Sequence, residues 1–420
     1  RAGLGLSRRM SCNCSSQSLG FILLCYEWEL DRILVVSLAS AIFSAGVSRV
    51  AIYVSLMKAF KKALLYLCKR VLRAIKGQQY KRLFESSIGK QPCLVAYLPQ
   101  QNRGWILYFL WRDLQAQFSG IKSVGCDIAG NEAELRQFIR HHDIYVVAMG
   151  LKFLNELIEF GVPEKRIVLY HTHVRLGLPL HRLEQLHGVL VLNHFEQELV
   201  AMRKVKKERI HVFPAGYDPC LFANNDQYRL SQECGERDID VLFVGRYREG
   251  SDGYYHKRKR YALQVEISNR LIQMGLSVAI LGHDWQNCEY SLDHRIRLID
   301  LPHSETPKIY KNSRLVCSVA AQEGGPVSFL EGMASGCLML SSPTGFPADI
   351  QSGKLGSWLM PLRADSEAWC MQIMQLLSDN ELLNEDVLRQ RSEILRPSQF
   401  SSLSRQLVSI CFSDHHAEMD

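Results

Sequence analysis

AQEGGPVSFLEGMASG, residues 321–336, lies between two apolar runs, RLVCSVA (314–320) and CLMLSS (337–342). Both runs are short, nearly free of charge and aliphatic, which is the pattern of strands buried on both faces. Pro326 suits the first position of a helix, because its ring fixes φ near the helical value and its missing N–H is not needed there. Small residues end that helix at Gly336 before the next strand begins. Strand, helix and strand in so little chain make a right-handed crossover, and therefore a parallel sheet.

The same alternation extends in both directions. Upstream, CLVAYL (93–98), DIYVVAMG (143–150), RIVLYHTH (166–173) and GVLVLN (188–193) read as strands. GWILYFLWRDLQAQF (104–118), LKFLNELIEFG (151–161) and HFEQELVAM (194–202) read as helices between or after them. The polar, aperiodic stretch NNDQYRLSQECGERD (224–238) reads as a linker. Alternation then resumes with IDVLFVG (239–245), YALQVEISNRLIQMG (261–275), LSVAILG (276–282), RIRLIDL (295–301) and HSETPKIYKNS (303–313), and later the helix SEAWCMQIMQLLSD (366–379). The expected fold class is α/β, with two doubly wound Rossmann-like domains facing a cleft, over residues 91–223 and 239–395. A C-terminal helix and tail, 396–420, follow. A chain of 420 residues exceeds what one core organises, which agrees with two domains.

The formal net charge of +7 is concentrated rather than spread. Between Lys58 and Lys90 the only acid is Glu85, among lysines and arginines that include Lys61, Lys62, Lys69, Arg70 and Arg73. Residues 57–90 therefore read as a basic amphipathic helix, with Phe60, Leu64, Leu67, Val71 and Ile75 on one face, suited to peripheral contact with an anionic membrane or to packing on its own domain. The near-neutral remainder argues against nucleic acid as a partner. The apolar run from Ile33 to Ser48 is shorter than the ~20 residues that cross a bilayer, and residues 1–56 read as a leader or as sequence upstream of a start at Met57. The 13 cysteines are scattered without metal-site or CxxC spacing, as expected of a reducing cytosol.

The loop at 323–326 carries the chemistry. Two glycines let backbone N–H groups approach an anion closely, and the helix N-terminus behind them adds partial positive charge, a combination that suits a diphosphate. Glu323 stands in the loop, where it can accept hydrogen bonds from sugar hydroxyls. Glu331 lies about one and a half turns into the helix and can hold a ribose diol.

Glu323, seven residues and Glu331, followed by GMASGCLMLSSPTGF, resemble the retaining GT-B glycosyltransferases, in particular glycosyltransferase family 4, the group 1 transferases. VLFVGRYREGSDGYYHKRKRYAL, RIHVFPAGYDPCLF and YHTHVR extend the resemblance over roughly Cys93 to Ile350. It implies that Arg246 and Lys257 neutralise the donor diphosphate, with Arg258 next in line and Lys259 and Arg260 competing because the intervening segment is longer than usual. It also implies that Glu323 contacts the transferred hexose and Glu331 the ribose, and that Gly245, Gly324, Gly325, Pro326 and Gly345 shape the donor site. His171 resembles the family's active-site histidine, with His173 as its rival two residues along the same strand face. Gly104 is the one glycine in the loop where the family has a Gly-rich acceptor segment.

The implied activity is transfer of a sugar from a nucleoside-diphosphate-sugar donor to a glycan or lipid-linked acceptor with retention of configuration, in cell-envelope polysaccharide biosynthesis. No metal or other cofactor is expected, since two cations beside the leaving group take the metal's place. The expected location is cytoplasmic, peripheral on the inner face of the cell membrane. A nucleotide-sugar epimerase of the same architecture and a non-catalytic nucleotide-sugar or glycan-binding protein are the alternatives.

Overall fold

The computed structural model describes residues 61–63, 74–98, 106–118, 128–129, 131–172, 183–222, 237–249, 253–350, 355–379 and 382–416. Residues 57–60 and 64–73 of the basic amphipathic stretch, all of 1–56, and most of the 224–238 linker lie outside them, as do Gly104 and His173. Among the described residues no helix is long and apolar enough to cross a membrane.

The first sheet contains β1 (Pro92–Tyr97), β2 (Ile128–Ala129), β3 (Asp143–Ala148), β4 (Ile167–His171), β5 (Gly188–Val191) and β6 (Ile210–Val212) in the order β2-β1-β3-β4-β5-β6. All neighbours run parallel. Helices α1 (Ile106–Gln115), α2 (Glu132–His141), α3 (Leu151–Phe160) and α4 (His194–Ala201) make or flank the crossovers. Local chemistry explains their bounds. Asn131 caps α2 by accepting from the N–H groups of Ala133 and Glu134, and Gly161 ends α3 in the left-handed region at φ 90°. Asn193 caps α4 through the N–H of Glu196. The helical run 77–85 adds Tyr80 and Phe84 to the core under this sheet.

The second sheet contains β7 (Ile239–Val244), β8 (Val278–Leu281), β9 (Arg297–Ile299), β10 (Ser313–Ser318), β11 (Leu338–Ser341) and β12 (Ser357–Leu359), ordered β12-β11-β10-β7-β8-β9 and again parallel. The order reverses between β7 and β10, and a ligand crevice in such a sheet opens at the carboxyl ends of those two strands. The short α5 (Pro219–Phe222) precedes this domain, and Asp218 orders it by accepting from the N–H of Cys220 at 2.8 Å. Helices α6 (Gly253–Lys259), α7 (Tyr261–Gln273), α8 (Thr306–Lys311), α9 (Val327–Ala334), α10 (Ser366–Ser378) and α11 (Glu385–Leu395) complete it. The turn at Pro326 differs from the sequence expectation by one position: Pro326 is the N-cap, with extended ψ of 112°, and the helix begins at Val327.

The last helix, α12 (Phe400–His416), returns to the first domain. Phe400 sits where a side chain on Gly216 would be, Gln406 donates to the Val212 carbonyl at 3.1 Å, and His187 bonds the Ile410 carbonyl at 2.8 Å. This crossing ties the end of the chain to β5 and β6, so both domains contain the C-terminal segment's contacts.

Arg391 on α11 is 2% exposed and donates to the carbonyls of Cys337 at 2.8 Å, Gly356 at 3.0 Å and Leu355. It thereby satisfies the end of α9 and the turn before β12 in one place. Replacing it leaves several buried carbonyls without donors, so Arg391→Met is expected to lower stability by about 3–5 kcal/mol. Urea denaturation measures this, and a loss under about 1 kcal/mol would mean that water takes over these bonds.

Candidate active site

The carboxyl ends of β7 and β10 carry Gly245-Arg246 and the loop leading to Glu323, as the strand order requires. The Gly245 carbonyl accepts from Trp285 Nε1 at 2.6 Å and the Arg246 carbonyl from Tyr261 Oη at 2.8 Å. Both aromatic rings are buried and pack edge to face, so this strand end is held rigidly. Arg246 itself is 56% exposed and pairs with Asp284 at 2.6 Å.

The long basic segment resolves by helical phase. Lys257 and Lys259 are two residues apart on α6, about 200° around the axis. Lys257 is exposed, whereas Lys259 pairs with Glu323, whose side chain is 14% exposed. Arg258 brings Nη2 to 3.9 Å from the same carboxylate, lies over the Tyr255 ring, and has a buried Nε without a hydrogen-bond partner among the described residues. Arg260 turns away, in the left-handed region at φ 56°, toward the carbonyls of Val319 and Ala364. Lys259 therefore stands opposite Glu323, while Lys257, the residue the resemblance assigns to the diphosphate, is exposed on the same helix. The Ala321 N–H donates to the Arg258 carbonyl at 2.8 Å and joins the two segments.

Gly324 and Gly325 meet the first domain. A Cβ on Gly324 would strike the Thr172 carbonyl and come within 2.6 Å of Leu192 Cδ1, and one on Gly325 would lie 3.3 Å from Leu192 Cβ. Asn193 Nδ2 donates to the Gly324 carbonyl at 2.5 Å, and His194 meets Asp349 through both its N–H and Nδ1 at 3.0 Å. The glycines, expected for an anion's approach, have a packing role as well. Gly345, at φ 67°, lies under the same turn: its Cβ would be 2.6 Å from the Gly324 carbonyl oxygen and 2.8 Å from that of Glu323.

Glu331 is 4% exposed. Its carboxylate accepts from His303 Nε2 at 2.6 Å and from Tyr310 Oη at 2.8 Å. The hydrogen bond to Glu331, with help from its charge, raises His303 above the ordinary imidazole range against the effect of burial. Burial, with Glu331 beside it, holds the Tyr310 phenol well above its usual range. His303 and Tyr310 did not emerge from sequence reasoning; both precede β10 in a segment whose only signal was a short helix.

His171 ends β4 at 1% exposure, with Nδ1 3.9 Å from Glu196 Oε2. Among the described residues neither of its ring nitrogens has a hydrogen-bond partner. Glu196, also buried, accepts from the Leu192 N–H at 3.2 Å. The adjoining Thr172 carbonyl is the atom that Gly324 approaches, so His171 and Glu323 border the same seam.

The fold and this site define a GT-B protein, two parallel-sheet domains around a nucleotide-type crevice. It has the architecture of a glycosyltransferase from Rickettsia africae ESF-5 (TM-score 0.55, 14% identity, 77% of this chain and 98% of that one). Similar values relate it to sucrose-phosphate synthase from Thermosynechococcus elongatus (0.54, 15%, 78% and 100%) and to Anabaena HepE in complex with UDP and glucose (0.53, 13%, 76% and 98%). The chain spans 55% of the length of TarM, which it also matches, at a TM-score of 0.49. No characterised protein matches it by sequence. Residues 238–379, about a third of the chain, match the family model for the group 1 glycosyl transferases.

Gly345→Ala tests the seam. The added methyl group strikes two carbonyl oxygens at a left-handed position, so the Glu323 turn must move. Transfer activity is expected to fall at least about tenfold, the effect of a misplacement near 1 Å, while the circular dichroism spectrum stays unchanged.

Proposed function

We propose that this protein is a glycosyltransferase that moves a hexose from a nucleoside-diphosphate donor to a glycan or lipid-linked acceptor with retention of configuration. The observation that carries this reading is a pair of carboxylates, the half-buried Glu323 and the buried Glu331, at the switch point of the second sheet, with Arg258 and Lys259 beside the first. In this reading Glu331 takes the ribose diol and Glu323 the hexose hydroxyls. The open N-terminus of α9, which no side chain caps, receives the diphosphate together with Gly324 and Gly325.

The anomeric carbon–oxygen bond breaks with its electron pair leaving on the diphosphate, the acceptor hydroxyl oxygen bonds to that carbon, and its proton passes to the departing phosphate oxygen. Arg258 and Lys259 stabilise that charge in a site shielded from water, where a cation acts more strongly than in solution. Arg246 serves at the rim, where its pairing with Asp284 is exposed and readily exchanged. His171, buried and without a hydrogen-bond partner among the described residues, offers its ring to a hydroxyl of the sugar or acceptor entering from the first domain. Anabaena HepE, solved with UDP and glucose, supports a UDP-sugar as the first donor to try. The expected setting is cell-envelope polysaccharide assembly, with the basic segment 57–90 in peripheral contact with the inner face of the membrane.

Donors with UDP, GDP and ADP are assayed for sugar transfer and for slow donor hydrolysis. Lys259→Met and Glu323→Gln are expected to lower kcat by about 100- to 1,000-fold, the typical cost of one preorganised electrostatic contact. Lys257→Met is expected to stay within about twofold of wild type, as exposed charges usually do. Equal losses at Lys257 and Lys259 would overturn the assignment, and binding of every sugar nucleotide without turnover would leave only a binding protein.

A further inference from the structure

Each oxygen of Glu331 already holds one donor before any ligand arrives, with acceptor capacity left over. A carboxylate 4% exposed would be costly to bury alone, and two donors hold it: Tyr310 on Oε2 and His303 on Oε1. The two donors are not alike. Tyr310 is 1% exposed, while the His303 side chain is 29% exposed. His303 stands in the turn after β9, outside the carboxyl edge of the sheet, and Phe222 packs against its ring at 5.7 Å. Among the described residues Nδ1 of His303 makes no hydrogen bond. The imidazole therefore has one edge locked on Glu331 and the other available.

We propose that His303 is a donor-positioning residue, fixing one oxygen of Glu331 through Nε2 and meeting the nucleoside half of the donor with its Nδ1 edge and ring. This rests on the reading of Glu331 as the ribose-binding carboxylate. As imidazolium, His303 neutralises Glu331 in a site that must accept a dianion; as imidazole, it leaves that negative charge uncompensated.

The sign follows from the raised basicity of His303. The imidazolium is complete below the ordinary imidazole pKa and is lost as pH climbs through the raised value, so donor affinity falls on the alkaline side. The groups facing His303 are few. Glu331 lies on α9, Tyr310 on α8 titrates only far into the alkaline range, and Asp113 and Arg112 on α1 act through space with opposite signs. Behind Tyr310, Cys337 Sγ donates to its carbonyl. On the preceding strand end, Asp300 pairs with His283, a second titratable group that the variants below leave intact.

The test is the affinity of the full chain for UDP-glucose, GDP-mannose and ADP-glucose by calorimetry at pH 6.5 and 8.5. Wild type is expected to bind one of them about three- to tenfold more weakly at the higher pH, in keeping with loss of one nearby charge. His303→Gln keeps an N–H for Glu331 but has no proton to lose, so its affinity should stay at the wild-type alkaline value at both pH values. His303→Phe should bind more weakly still. A purely structural His303 would shift the urea midpoint of the glutamine variant and leave the pH slope intact. That outcome, or a wild-type affinity independent of pH, overturns the assignment while nucleotide-sugar binding stands. Absence of binding by all three probes at both pH values removes the ribose reading itself, and this inference with it.

Discussion

The site depends on one close approach of backbone to backbone. At Gly324 the turn after β10 presses against the Thr172 carbonyl and Leu192, at the carboxyl ends of β4 and β5, with no room for a Cβ. Asn193 fastens the same peptide by its carbonyl, and Gly345 supports it from below. With the peptide held there, Glu323 is directed toward Lys259 and Arg258, and His171 is sealed against the seam. A side chain on either glycine would separate these groups. The sheets supply the strand ends, but the glycines determine that the ends of one domain meet those of the other.

Charge compensation is the second constraint. Glu323 and Glu331 are each mostly buried, and each has its own donors: a lysine and an arginine for the first, a histidine and a tyrosine for the second. Isolated carboxylates in such positions would be expensive, so the partners are needed for folding as well as for ligand binding. The two pairs differ in a way that suits their places. Permanent cations stand where a leaving group would gather charge, and a neutralisable imidazole stands where a neutral diol would bind.

The strands were legible because they are apolar runs bounded by glycine and polar residues: DIYVVA, IVLYH, GVLV and LMLS all lie in the sheets. The reversal of order at β7 and β10 brings Arg246 and Glu323 to one edge, as a doubly wound sheet requires. Less was readable where chemistry depends on rotation or distance. A basic run does not reveal which lysine faces inward, since that is set by the seven-residue length of α6 and its docking beside the Glu323 loop. His303 and Tyr310 carried no motif, and their meeting with Glu331 joins elements far apart in the chain. The two-residue β2 is too short for any periodic signal, and the return of α12 to the first domain is a matter of packing around Gly216.

The most direct measurement is a crystal structure of the chain with an intact nucleotide sugar or its non-hydrolysable analogue. This account predicts the ribose diol on Glu331 beside His303, the diphosphate over Gly324 and the start of α9 within reach of Lys259 and Arg258, and the hexose against Glu323. A nucleotide bound away from this seam, or a diphosphate held by Lys257 with Lys259 still locked on Glu323, would contradict it.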